Sequence, residues 1–230
     1  MGKSSNITLR AADGFECAAY VSEPSGAPKG AIVVLQEIFG VNSHIRSVAD
    51  GYAADGYLAV APATFHRVKP GVELGYGEQD VKEGVALKAA VEGLPAPGVM
   101  PDIQAAIAHA ARAGKVGLVG YCWGGLLTWR SACTLDGIAA AAPYYGGGMT
   151  TPQETARKPK CPVMVHFGEQ DHVIPMDTVD AFRKAHPEVE VYVYNAGHGF
   201  NCDQRGSYNA QAARLARERT LAFFGKHLAG

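Results

Sequence analysis

Short runs of uniformly apolar residues recur along the chain, and segments with helical periodicity separate them. Residues 31–36 (AIVVLQ), 57–62 (YLAVAP) and 115–120 (KVGLVG) lack the in–out alternation of a half-exposed strand. A strand covered on both faces reads this way. Residues 138–143, 161–168 and 189–195 continue the series, and segments near 5–10 and 16–22 read as short N-terminal strands. Helical stripes at i, i+3, i+4 and i+7 fall between them. Ile45, Val48, Ala49 and Tyr52 form one stripe, and Ile103, Ala106, Ile107 and Ala110 form another in a helix opened by Pro101. Further helices are expected near 78–92, from Leu126 onward, near 176–186 and near 207–228. The last would turn Leu221, Phe224 and Leu228 inward. This alternation predicts an α/β fold, a mostly parallel, doubly wound sheet with helices on both faces. No repeat, low-complexity tract or linker interrupts it, so residues 1–230 read as one domain. Only residues 63–100, rich in glycine and proline, are less regular.

Composition narrows the partners. The 21 basic and 22 acidic residues leave a formal net charge of -1, without blocks of like charge. Nucleic acid and anionic membranes both call for a basic surface, so a small molecule is the expected partner. No apolar run approaches the ~18 residues of a membrane span, and the N-terminus has no apolar core of a signal peptide. Cys17, Cys122, Cys133, Cys161 and Cys202 are odd in number and widely spaced. Free thiols in a cytoplasmic enzyme are the expectation.

Chemistry in such a sheet sits beyond the carboxyl ends of the strands. Gly120-Tyr121-Cys122-Trp123-Gly124 follows the run KVGLVG and opens a helix. It fits the G-x-S-x-G nucleophile elbow with cysteine in the serine place. A helix N-terminus beneath the sulfur favours a thiolate. Asp171 follows the run CPVMVHFG, and His198 follows VEVYVYN. Taken singly, a loop aspartate before a helix or a histidine between glycines is unremarkable. Three such residues at strand ends, in the order nucleophile, acid, histidine, predict a triad in which Asp171 orients His198 and His198 moves the protons of Cys122. His166, Asp171 and His172 lie close in sequence, but no metal-binding spacing appears and His166 falls inside a strand, so neither metal nor cofactor is expected. Cys133 and Cys161 read as core; Cys202 lies near His198.

With these residues placed, the chain resembles the dienelactone hydrolase family (carboxymethylenebutenolidases) of α/β-hydrolases over nearly its full length. The segments carrying the resemblance are Gln36-Glu37-Ile38-Phe39-Gly40, the elbow with Gly125, Tyr144-Tyr145-Gly146, Gln170-Asp171-His172 and Gly197-His198-Gly199-Phe200. The resemblance implies hydrolysis of a small lactone carrying a carboxylate, with Glu37 as a fourth catalytic residue that takes the thiol proton. It also implies an oxyanion hole from the backbone N–H groups of Ile38 and Trp123, in keeping with the hydrolase pattern of one amide after the nucleophile and one from an earlier loop. The type member of the family that this chain resembles holds the substrate carboxylate with two arginines. Here Arg205 follows His198 by seven residues, and the stretch 76–88 offers Lys82 and Lys88 but no arginine. Lysine lacks the planar fork of arginine. Arg205, Tyr144 and Lys82 are the substrate-binding candidates. A carboxylesterase or thioesterase acting on an open-chain acyl substrate is the alternative enzyme. A non-catalytic binding protein would need a broken triad, and this chain keeps all three members.

Overall fold

A computed structural model describes residues 2–229; Met1 and Gly230, the ends of the span read as one domain, lie outside the described residues. Eight strands form one sheet: β1 (Ser4–Arg10), β2 (Glu16–Ser22), β3 (Ala31–Leu35), β4 (Leu58–Pro62), β5 (Val116–Tyr121), β6 (Ile138–Tyr144), β7 (Met164–Gly168) and β8 (Glu190–Tyr194). Their spatial order is β1-β2-β4-β3-β5-β6-β7-β8. The pairs β1–β2 and β2–β4 are antiparallel, and all the others are parallel. Every residue of β3, β4, β5 and β7 is buried, because helices cover both faces there. Edge strand β1 buries only Leu9. The fold is that of the α/β-hydrolases.

The helices are α1 (Ser43–Ala54), α2 (Glu78–Glu92), α3 (Met100–Ala110), α4 (Trp123–Thr134), a single turn α5 (Pro152–Thr155), α6 (Met176–Ala185) and α7 (Ala210–Leu228). Asn42 starts α1 by accepting from Ile45 N at 3.2 Å, and Asn209 starts α7 by accepting from Ala212 N at 3.0 Å. Such caps satisfy amides that have no partner within the helix. The inner face of α7 differs from the expected one. Phe224 and Leu228 are buried, but their companions are Ala212, Ala213, Ala216, Thr220 and Phe223, while Leu221 is only half-buried. The polar Thr220 takes the core position. Its hydroxyl meets Tyr144 Oη at 2.7 Å and His166 Nε2 at 2.9 Å and donates to Ala216 O at 2.9 Å. Leu221, about 100° further round the helix, is turned toward the edge.

From β3 the chain crosses to β4 on one side, then returns past β3 to β5 on the other. The carboxyl ends of β3 and β5 therefore border the crevice where the strand order reverses, the place where open α/β sheets hold ligands. Glu37 follows β3 and Cys122 follows β5.

Candidate active site

Cys122 sits between β5 and α4 at φ 55°, ψ -119°. Among the described residues, only Cys122 and Tyr145 hold positive φ without being glycine. Backbone of this kind costs about 1–3 kcal/mol and persists only where the surroundings impose it. They do so here. Cys122 N donates to Tyr144 O on β6 at 3.1 Å, and Cys122 O accepts from Gly125 N at 2.9 Å. A Cβ on Gly120 would collide with Gly124 O, and one on Gly124 would collide with the carbonyl oxygens of Leu35 and Gln36. The elbow glycines thus let α4 close against both β5 and the end of β3. That contact sets the loop that carries Glu37 and Ile38 beside the elbow.

His198 Nε2 lies 3.1 Å from Cys122 Sγ, and His198 Nδ1 lies 2.7 Å from Asp171 Oδ2. Asp171 Oδ1 accepts from Val173 N at 2.8 Å, which aims the other oxygen at the imidazole. An Nδ1–H donating to this carboxylate leaves Nε2 facing the sulfur. Burial pulls the His198 imidazolium down, but its bonds to Asp171 and Cys122 outweigh this and hold its pKa up to about 10.

Glu37 is fully buried. Oε1 accepts from Arg205 Nη1 at 3.1 Å and Oε2 from Tyr76 Oη at 3.2 Å. Tyr76 Oη in turn accepts from Asn42 Nδ2 at 3.1 Å. The Gln36 amide holds the loop in place, accepting from Thr64 N at 3.2 Å and donating to Glu37 O at 3.2 Å. Cys122 Sγ is hydrogen-bonded to His198, while both Glu37 oxygens are engaged by Arg205 and Tyr76. Glu37 is thus beside the elbow but not bonded to its thiol. The guanidinium of Arg205 compensates its charge. The backbone N–H groups of Ile38 and Trp123 have no backbone acceptor among the described residues.

Two substrate-binding expectations are corrected. Lys82 is exposed on α2 and pairs with Glu78 one turn earlier at 2.6 Å, so it does not join the cluster. Tyr144 points into the core, where its hydroxyl meets Thr220 at 2.7 Å and its ring packs on His166. The neighbouring Tyr145 is the tyrosine at the site. Its ring stands edge-on to His198, with centroids 5.3 Å apart, and its buried hydroxyl has no partner among the described residues. Burial, reinforced by the charges of Glu37 and Cys122, pushes its phenol well above the ordinary range. Arg205 reaches the site, but as the partner of Glu37.

Sequence reasoning missed Tyr76 and Tyr145. Tyr76 is signalled only by its position before α2; Tyr145, just past β6, stands in the segment Tyr144-Tyr145-Gly146 but has no role assigned there. The irregular stretch 63–100 also supports the site. Phe65 stacks on the Trp123 ring with centroids 5.0 Å apart, and Glu92 Oε1 accepts from Trp123 Nε1 at 2.8 Å. His166, weighed above as a metal ligand, is fully buried, with Nδ1 at Tyr194 Oη and Nε2 at Thr220 Oγ1. Cys133 and Cys161 are partly buried against the core, and burial lifts their thiols to about 12 and about 11.

Known proteins resemble this chain in sequence and in fold. A Pseudomonas putida carboxymethylenebutenolidase is 35% identical over 225 residues, covering 94% of each chain. A crystal structure of a Klebsiella pneumoniae protein assigned to the dienelactone hydrolases is 31% identical. It superposes with a TM-score of 0.84 over 98% of this chain and 99% of that one. A dienelactone hydrolase-like promiscuous phosphotriesterase from metagenomic libraries, P91, is 22% identical with a TM-score of 0.76 over the whole of both chains, which shows the fold alone. The profile of the dienelactone hydrolase family matches residues 17–228. The chain therefore belongs to the dienelactone hydrolase family, hydrolases acting on ester bonds.

Proposed function

We propose that the chain hydrolyses a small lactone or ester carrying a carboxylate, through a thioacyl intermediate on Cys122. The observation that carries this reading is the relay from Asp171 through His198 to Cys122 at 2.7 Å and 3.1 Å, set on the strained elbow. The Cys122 sulfur attacks the substrate carbonyl, and the oxyanion that forms accepts from Ile38 N and Trp123 N. His198 Nε2 gives its proton to the leaving oxygen, which for a lactone stays tethered to the acyl group. His198 then takes a proton from water as that water attacks the thioester. Cys122 leaves as thiolate and the free acid departs.

The ion pair between Glu37 and Arg205 supports a carboxylated substrate. A substrate carboxylate would draw the guanidinium to itself by a charge-assisted bond. Glu37, so released, would become an acceptor for the proton that Cys122 shares with His198. Glu37→Gln should then lower turnover by on the order of 10² or more, less at high pH, where solvent ionises the thiol unaided. The pH–rate profiles of both proteins, on carboxylated and neutral lactones and on open-chain esters and thioesters, test this. Equal rates at neutral pH would reduce Glu37 to a structural carboxylate. Faster turnover of neutral open-chain substrates would move the substrate class to that of an esterase.

A further inference from the structure

Glu37 also belongs to a second cluster, whose other members, His44 and Cys202, have no part in hydrolysis. A carboxylate oxygen of Glu37, a ring nitrogen of His44 and Cys202 Sγ lie within 4.8 Å of one another, and all three residues are buried. His44 is in the first turn of α1, and Cys202 is in the loop between His198 and α7. His44 Nδ1 stands 3.3 Å from Asp203 Oδ1. His44 Nε2 is enclosed and has no hydrogen-bond partner among the described residues. An enclosed nitrogen of this kind has given up water and received nothing in return. His44 and Asp203 also line a cleft of about 360 Å³.

These are the parts of a metal site. A thiol, an imidazole and a carboxylate converge, and an outer carboxylate holds the second nitrogen of the histidine. Ligand atoms around a tetrahedral zinc ion stand about 3.5 Å apart, so side-chain shifts of roughly an ångström would close the cluster on an ion. The mixed N, S and O donors suit a borderline-soft cation and not Mg²⁺ or Ca²⁺, which take oxygen shells.

We propose that Glu37, His44 and Cys202 bind a divalent cation of the Zn²⁺ type, and that the ion arrests hydrolysis by taking Glu37 from Arg205. The Cys202 thiol releases its proton to solvent as its sulfur joins the ion, and the guanidinium, now beside a cation, is repelled from the carboxylate. The binding half stands on the cluster alone. The arrest half rests on the catalytic reading of Glu37. The site departs from the expectation of no metal, since ligands at positions 37, 44 and 202 form no spacing motif.

Titration of Cys122→Ser protein with Co²⁺, a spectroscopic stand-in for Zn²⁺, tests binding without the reactive thiol. One equivalent should bind with thiolate-to-cobalt charge-transfer absorption, and Zn²⁺ should displace it. Adding Cys202→Ala, or the near-isosteric Cys202→Ser should the first fold poorly, should abolish the band. Asp203→Ala should weaken binding about 10–100-fold. No band in Cys122→Ser, or a band that survives loss of Cys202, overturns the site. In the parent enzyme, Zn²⁺ should inhibit ester hydrolysis, and Cys202→Ala should resist that inhibition relative to its own metal-free rate. Equal inhibition of both proteins would place the effect at Cys122 and His198 and overturn the arrest, leaving the hydrolase reading standing.

Discussion

Arg205→Ala should destabilise the protein through Glu37, and a second substitution should reverse the damage. The Glu37 side chain is 1% exposed and its Arg205 partner 21%. Removing one member of a buried pair strands the other charge, typically at about 3–5 kcal/mol. Here Tyr76 Oη still donates to one carboxylate oxygen, and Arg205 is partly hydrated, so the loss falls at about 2–3 kcal/mol. For a chain of this size that lowers Tm by roughly 4–12 °C. Glu37→Gln removes the stranded charge and keeps an acceptor for Tyr76. The double variant should therefore recover to within about 1 kcal/mol of the parent. Urea denaturation of the parent, both single variants and the double variant closes the cycle. A loss below about 0.5 kcal/mol in Arg205→Ala, or no recovery in the double variant, refutes the view that Arg205 neutralises Glu37.

Asp171→Asn should keep the fold but lower turnover roughly 10²–10⁴-fold, because His198 loses the partner that fixes its tautomer; steady-state kinetics with circular dichroism checks it. Folding raises the His198 pKa from the ordinary value to about 10, so the stability it contributes is complete below about pH 6.5 and is lost as pH climbs toward 10. Denaturation free energy should fall across that window, and more weakly in Asp171→Asn; parallel slopes would contradict the assignment. Gly124→Ala should sharply reduce activity and cost about 1–3 kcal/mol, since its Cβ meets the backbone at the end of β3; parent-like activity and melting would contradict it. Lys82→Ala should leave KM for carboxylated and neutral substrates within about twofold, because its ammonium faces solvent; a selective rise for carboxylated substrates would restore it as a binding residue.

The sheet was legible because its central strands are buried on both faces and so appear as unbroken apolar runs. The elbow was legible because its glycines answer a contact that tolerates no Cβ, and Asp171 and His198 because each follows a strand, β7 and β8, in the chain order of a hydrolase triad. The register of α7 was not, since Thr220 enters the core through three hydrogen bonds that no hydrophobic pattern announces. The pairing of Arg205 with Glu37 was equally hidden. It joins residues 168 positions apart, and only the return of the loop before α7 to the end of β3 brings them together. Tyr144 and Tyr145 differ by one place in the chain. Whether the strand ends before or after the turn decides which ring meets His198.

The central claim is that Cys122 carries the acyl group. Rapid mixing with an activated ester, an acid quench within the first turnover and peptide mapping by mass spectrometry test it directly. The account predicts an acyl adduct on the peptide bearing Cys122 that decays with further turnover and is absent from Cys122→Ala. An adduct on Cys202 or another residue, or turnover that persists in Cys122→Ala, would contradict it.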